Sequence, residues 1–260
     1  MKYNYRKNLF CSYLSLLGKI TLLTLLIFSI RDGTKLLAQG SGHLSYSCTQ
    51  VIGYSQVGQT GSKDQRGPGF GWYIAGGIFE STVDDNRWQL LWKGGGGVNK
   101  WANPEYEGWN QTIISPCNNN YNTPTRVLLS ISGPYGKDVK EWSNAIELAV
   151  DTIQEKLPTI EKVILEPVVG GPNEEACPCT RNCNFENSPF QTTFKKVRAS
   201  WQHEYIAKAI KHVVSSQRQS IAVKGYFPKV KYCSHYIDGL GHLTKQGAEY
   251  IGKKLGSYYQ

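Results

Sequence analysis

The run from Arg126 to Gly170 limits the fold of this chain more than any other stretch. Arg126-Val-Leu-Leu-Ser-Ile-Ser132 is apolar and β-prone, and it stops at Gly133-Pro134. Asp138 to Leu157 then places Val139, Trp142, Ile146, Ala149, Val150, Ile153 and Leu157 at helical spacing, which predicts an amphipathic helix closed by Pro158. Lys162-Val-Ile-Leu-Glu-Pro-Val-Val169 reads as a second buried strand, ending at Gly170-Gly-Pro-Asn173. Strand, helix and strand within about 45 residues form a βαβ unit. Its strands must run parallel with a right-handed crossover, because an antiparallel return would not need the helix.

The rest of the chain extends that unit. Cys48 to Tyr54, with Val51 and Ile52, predicts a short buried strand, and Trp88-Gln-Leu-Leu-Trp92 another that feeds Gly94-Gly-Gly-Gly97. Between them, residues 61–77 are glycine-rich and predict a loop. Trp101 to Tyr121 is rich in Trp, Asn and Pro and predicts irregular structure tied down by Cys117. Further on, His203 to Ser216 has a helical face of Ile206, Ile210 and Val213. Ser220 to Val223 predicts a fifth strand, and Leu243 to Tyr258 a closing helix with Ile251 and Leu255 inward. The expectation is an α/β sandwich of about five parallel strands in one domain.

Charge and cysteines narrow the function. The formal net charge is +9, but residues 1–38 hold six Lys/Arg and one Asp, which leaves +4 on the remainder. Without a dense basic stripe, nucleic acid is not an expected partner. Lys2, Arg6 and Lys7, the apolar run Ile20 to Ile30, and Ala38 before Gln39 have the layout of a signal peptide over residues 1–38. An uncleaved anchor is the competing reading, since Leu9 to Ile30 approaches the roughly 20 residues of a membrane span, although Lys19 interrupts it. With cleavage, residues 39–260 form the exported domain, and a membrane partner is expected only if the leader stays. Of seven cysteines, Cys11 leaves with the leader. Cys48, Cys117, Cys177, Cys179, Cys183 and Cys233 then form an even set, expected to be disulfides of open connectivity, with the cluster Cys177, Cys179 and Cys183 in a disulfide-bound insertion near residues 174–200. Cys177-Pro-Cys179 with Cys183 departs from paired Cys-x-x-Cys zinc spacing, so no metal is expected there.

The candidate chemistry begins at Gly53-Tyr54-Ser55-Gln56, where a strand ends in a turn and exposes a serine hydroxyl. In open parallel sheets ligands bind beyond the carboxyl ends of the strands, so Ser55 stands at the expected edge. A serine needs a base to take its proton, and the base needs a third group to fix its tautomer. His242 and Asp238, in Asp238-Gly-Leu-Gly-His242 just before the last helix, can supply both. Taken singly, each is better explained as turn or cap chemistry; what lifts the pair is its company, a serine at the end of the first strand and a place just before the last helix.

Gly53-Tyr54-Ser55 near the start of the exported chain, with Asp238 and His242-Leu-Thr-x-x-Gly247 before a final helix, resembles the SGNH/GDSL hydrolase superfamily. The likeness covers nearly the whole exported chain in layout, through few residues. It implies a flavodoxin-like three-layer sandwich with helices on both faces and an esterase or deacetylase activity with no cofactor. The substrate would be a small-molecule or glycan ester, such as an O-acetylated carbohydrate. It further implies Ser55 as nucleophile, His242 as base and Asp238 as the orienting acid. The oxyanion would be held by Ser55 and by the glycine after the second strand, Gly97 or Gly96. Gln56, Tyr135, Asn173 and Trp101 are candidate substrate contacts. Three features depart from the family pattern: Tyr54 replaces an aspartate, three residues rather than two separate Asp238 from His242, and the third strand ends in Gly133-Pro134-Tyr135 where the family has Gly-x-Asn. Asn173 copies that motif but follows the fourth strand. A cutinase-type elbow, Gly-x-Ser-x-Gly, fails because Val57 stands at its last glycine and too few strands precede Ser55. A non-catalytic glycan-binding protein, using the Trp-rich loop, is the alternative function.

Overall fold

The computed structural model describes residues 48–58, 78–83, 86–118, 123–173, 175–185, 192–216, 218 and 220–260. The leader at 1–38 and the whole glycine-rich stretch at 61–77 lie outside them. From Tyr46 onward the chain forms one compact unit.

In chain order the elements are β1 (Thr49–Gly53), α1 (Ser55–Gly58), α2 (Ile78–Val83), β2 (Trp88–Trp92), α3 (Val98–Trp101), β3 (Arg126–Ile131), α4 (Val139–Lys156) and β4 (Lys162–Pro167). There follow β5 (Asn184–Phe185), β6 (Thr192–Thr193), α5 (Arg198–Ser215), β7 (Ala222–Lys224) and α6 (Lys245–Tyr259). Five strands form one parallel sheet in the order β2-β1-β3-β4-β7. With the helices this is a three-layer α/β sandwich of flavodoxin-like type. In such an order the chain reverses direction across the sheet between β1 and β3. The loops leaving those two strands diverge there and open a crevice at their carboxyl ends.

The central strands are covered on both faces, so they carry apolar side chains at successive positions instead of alternating ones. Val127, Leu128, Leu129 and Ile131 of β3 and Val163 and Leu165 of β4 are fully buried. On α4, Trp142, Ile146, Ala149, Val150 and Ile153 form the buried stripe that the spacing predicts. Asp138 caps α4, accepting from the Lys140 and Glu141 N–H groups at 2.9 and 3.1 Å. Helices α4 and α5 pack side by side, and α2 packs on α6. The Tyr259 hydroxyl at the end of α6 donates to Glu166 of β4, which is fully buried. Burial pushes the Glu166 carboxyl up to about 8, against the hydrogen bonds that favour its charged form, so it is protonated at neutral pH.

All six cysteines among the described residues are paired, as Cys48–Cys117, Cys177–Cys233 and Cys179–Cys183. The cluster at 177–183 therefore keeps no thiolate for a metal. Between the second and third bridges the insertion holds the two-stranded antiparallel pair β5 and β6. Helix α5 begins at Arg198, five residues before the predicted start at His203, so the insertion is shorter than residues 174–200. That difference bears on the site.

Candidate functional site

Ser55 opens α1 directly after β1, with Val57 N–H turned back onto Tyr54 O at 2.8 Å. The turn is tight enough to demand glycine before it. A Cβ on Gly53 would stand 2.5 Å from Val57 Cγ2 and 3.2 Å from Ser130 Cβ. As the first residue of a helical turn, Ser55 has an N–H with no acceptor inside the helix.

Ser55 Oγ lies 2.6 Å from His242 Nε2, and His242 Nδ1 lies 2.5 Å from Asp238 Oδ2. The three side chains therefore form one hydrogen-bonded chain. Asp238 Oδ1 accepts three backbone N–H groups, from Leu240 at 3.0 Å, Gly241 at 2.9 Å and His242 at 3.1 Å. One oxygen thus folds the loop and the other orients the imidazole. Burial acts to raise the Asp238 pKa, but the hydrogen bonds and charge from His242, with the backbone donors, outweigh it and hold the carboxyl below its ordinary value. With Asp238 ionised, Nδ1 of a neutral His242 carries the proton and Nε2 faces Ser55 as acceptor. A hydroxyl held this way has a base placed to take its proton.

The extra residue between Asp238 and His242 is accommodated at Gly241, whose φ is +102°. Gly239 serves a different purpose, lying flat against Phe194, where a Cβ would stand 2.6 Å from Phe194 Cβ. A side chain at 241 meets both backbone strain and a collision, since its Cβ would stand 2.3 Å from Ala199 Cβ. Gly241→Ala is therefore expected to destabilise the fold by about 3 kcal/mol and to disconnect His242 from Ser55. Thermal unfolding together with esterase turnover of the purified variant checks both effects.

The cleft around Ser55 and His242 has a volume of about 440 Å³ and is walled by the loops after β1, β2 and β3 and by the start of α5. The nominated oxyanion glycines behave differently from one another. Gly97 is on the wall, with its N–H turned to Gly95 O at 2.9 Å. Gly96 is not on the wall and gives its N–H to Lys93 O at 2.9 Å, so of the two glycines Gly97 is the one beside Ser55. Gly97 permits the close approach of two loops, since its Cβ would stand 3.1 Å from Gly133 Cα and 3.2 Å from Ser132 O.

The expected substrate contacts need correction. Trp101 is fully buried, with Tyr106 and Trp109 edge-on to its ring, because the one-turn helix α3 points it into the core. Asn173 lies in a separate hollow beside His203 and Lys229, beyond the fourth strand. Tyr135 packs against Trp142 and is not on the cleft wall. Gln56 reaches the wall but is spent internally. Its Nε2 donates to Gly241 O at 2.5 Å, and its Oε1 accepts from Val169 N–H at 3.0 Å and Tyr54 OH at 2.6 Å.

Wall residues that sequence reasoning passed over include Asn99, Lys100, Ser132, Arg198 and Gln202. The Gly133 carbonyl, at the position where an asparagine motif is absent, accepts from both Arg198 Nη2 at 2.6 Å and Gln202 Nε2 at 3.0 Å. Arg198 also gives its backbone N–H to Gly239 O at 2.8 Å, so one residue ties the β3 loop to the Asp238–His242 loop.

Comparison with known proteins gives little beyond this geometry. No protein-family model matches the sequence, and no curated protein matches it. Among solved structures, the periplasmic domain of a lipopolysaccharide acetyltransferase from Salmonella ser. Paratyphi A aligns with 17% identity and a TM-score of 0.39, over 81% of this chain and 82% of that one.

Proposed function

We propose that the chain is an exported serine esterase or deacetylase of SGNH/GDSL type, with residues 1–38 as its leader. The observation that carries this reading is the 2.6 Å contact between Ser55 Oγ and His242 Nε2, backed by Asp238 on the far side of the imidazole. The three disulfides support an oxidising compartment.

In this mechanism Ser55 Oγ attacks the ester carbonyl carbon while His242 Nε2 takes the hydroxyl proton. The tetrahedral intermediate carries its negative charge on the former carbonyl oxygen, held by the Ser55 N–H and by Gly97 N–H once that donor releases Gly95 O. Collapse breaks the bond to the alcohol oxygen, which receives the proton from His242. Water then attacks the acyl-Ser55 by the same route and frees the acid. Asp238 stays ionised throughout and stabilises the imidazolium. The family's asparagine donor has no counterpart after β3, and one such donor is worth roughly 10²–10³ in rate. The activity expected is correspondingly modest.

The alternative of a glycan-binding protein draws on the cleft, the Trp-rich loop and the missing asparagine; the burial of Trp101 removes one stacking face of that loop, while Trp109 is half-buried. Reaction with a fluorophosphonate probe tests the proposal. Wild type is expected to be labelled and Ser55→Ala not, with short p-nitrophenyl esters turned over only by wild type. Absence of any Ser55-dependent labelling would return the chain to the binding alternative.

A further inference from the structure

The walls of the Ser55 cleft are unbalanced in charge. Arg198 and Lys100 both line it, and among the described residues no aspartate or glutamate does. The carboxylate of Asp238 stands behind His242 with one oxygen on the imidazole and the other on three N–H groups. Lys100 is exposed at the rim, but Arg198 is half-buried at the base of α5. Among the described residues no carboxylate pairs with it, whereas Arg218, Lys93 and Lys208 each have one at 2.7–2.8 Å. Burial lowers the affinity of Arg198 for its proton, opposed by the nearby Tyr54 hydroxyl. Taking a guanidinium out of water without a counter-charge costs free energy that an anion arriving in the cleft would restore.

Anchoring the β3 loop does not account for that charge. Gln202 Nε2 already donates to the same Gly133 oxygen that Arg198 Nη2 holds. A neutral side chain would serve equally there. A guanidinium has five N–H donors in a planar fork, and one of them is occupied by Gly133. The rest suit a carboxylate or similar oxyanion, gripped by two parallel bonds.

We propose that Arg198 binds a negative charge on the substrate, so that this cleft selects anionic esters, those bearing a carboxylate or like group close to the acyl linkage. The assignment deepens the esterase reading and rests on it for the identity of the reacting group. In this role Arg198 is a specificity residue: it holds the charged part of the molecule, and Ser55 and His242 act on the ester.

The test compares 4-acetoxybenzoate with its neutral counterpart 4-acetoxybenzamide, each rate divided by that ester's alkaline hydrolysis rate to remove intrinsic reactivity. Wild type is expected to prefer the carboxylate by about 10–100-fold in kcat/KM, mostly through KM, as befits one charged hydrogen-bonded contact. The preference should shrink as salt is raised, fall toward unity in Arg198→Gln, and return in part in Arg198→Lys. A wild-type ratio at or below one overturns the assignment without any variant. So does a ratio unchanged by Arg198→Gln, or an equal kcat loss on both esters, which would make Arg198 a transition-state donor instead. If neither ester is turned over, the esterase reading fails, and calorimetric titration of Ser55→Ala with 4-acetoxybenzoate decides the rest. Binding that disappears when Arg198→Gln is added keeps the anion site, and no binding ends it.

Discussion

Asp238→Asn is expected to lower kcat about 10⁴-fold while the protein remains folded. The asparagine oxygen can still accept the Leu240, Gly241 and His242 N–H groups that Asp238 Oδ1 accepts, so the loop keeps its shape. The atom that changes is the one facing His242 Nδ1. An amide NH₂ there is a donor, so Nδ1 must become the acceptor and the imidazole proton moves to Nε2. Nε2 then presents N–H to Ser55 and cannot take the hydroxyl proton. The stability change is small and depends on pH. A carboxyl held below its ordinary pKa contributes stability that is present above the unfolded value, about 3.9, and is lost as pH falls through the folded value. Wild type should therefore exceed Asp238→Asn by about 1 kcal/mol at neutral pH, and the gap should close in acid. Turnover of p-nitrophenyl acetate and unfolding at the two pH values read both effects. A variant retaining activity within tenfold of wild type would mean that the Asp238–His242 pair serves only to shape the loop.

The parts of this molecule that the sequence discloses are those set by local chemistry and chain order. The β3-α4-β4 unit is legible because strands buried on both faces carry runs of consecutive apolar residues, as Val127 to Leu129 and Val163 to Leu165 do. The grouping of Ser55 with Asp238 and His242 is legible because a serine after β1 and an Asp/His pair before α6 arrive at the same edge of a parallel sheet. What escapes depends on contacts far apart in the chain. The first turn of α5 has no Ser, Thr, Asp or Asn cap to announce it, since Val197 occupies that position. Its N–H groups at Arg198 and Ala199 are satisfied instead by the Gly239 and Leu240 carbonyls, some forty residues later. With the helix start hidden, Arg198 reads as part of an insertion and its place on the cleft wall cannot be foreseen. Trp101 fails for a related reason. A tryptophan in this Trp-, Asn- and Pro-rich stretch reads either as ordinary core or as a sugar platform beside a cleft, and how α3 packs decides for the core.

Gln56→Leu is expected to cost about 4 kcal/mol and to impair turnover as well. A substrate-contacting glutamine would behave otherwise, raising KM and leaving the melting temperature alone. The bonds decide between these outcomes. Gln56 is buried and ties its own turn, where it accepts from Tyr54 OH, to two other loops through Gly241 O and Val169 N–H. Leucine fills nearly the same space, so the loss is in polar satisfaction and not in packing. The Tyr54 hydroxyl has Ser130 as another partner, but Gly241 O and Val169 N–H lose the bonds described. Each stranded buried group costs about 1–3 kcal/mol, and the sum for two centres on about 4 kcal/mol. For a domain of this size that corresponds to a fall of about 10 °C in Tm, readable by calorimetry. Turnover falls with it because Gly241 is the residue that Gln56 holds, and Gly241 is next to His242. Releasing the Gly241 carbonyl lets the Asp238–His242 loop drift from Ser55, so kcat should drop even at temperatures where the variant is fully folded. A normal Tm with a raised KM would instead restore Gln56 to the substrate.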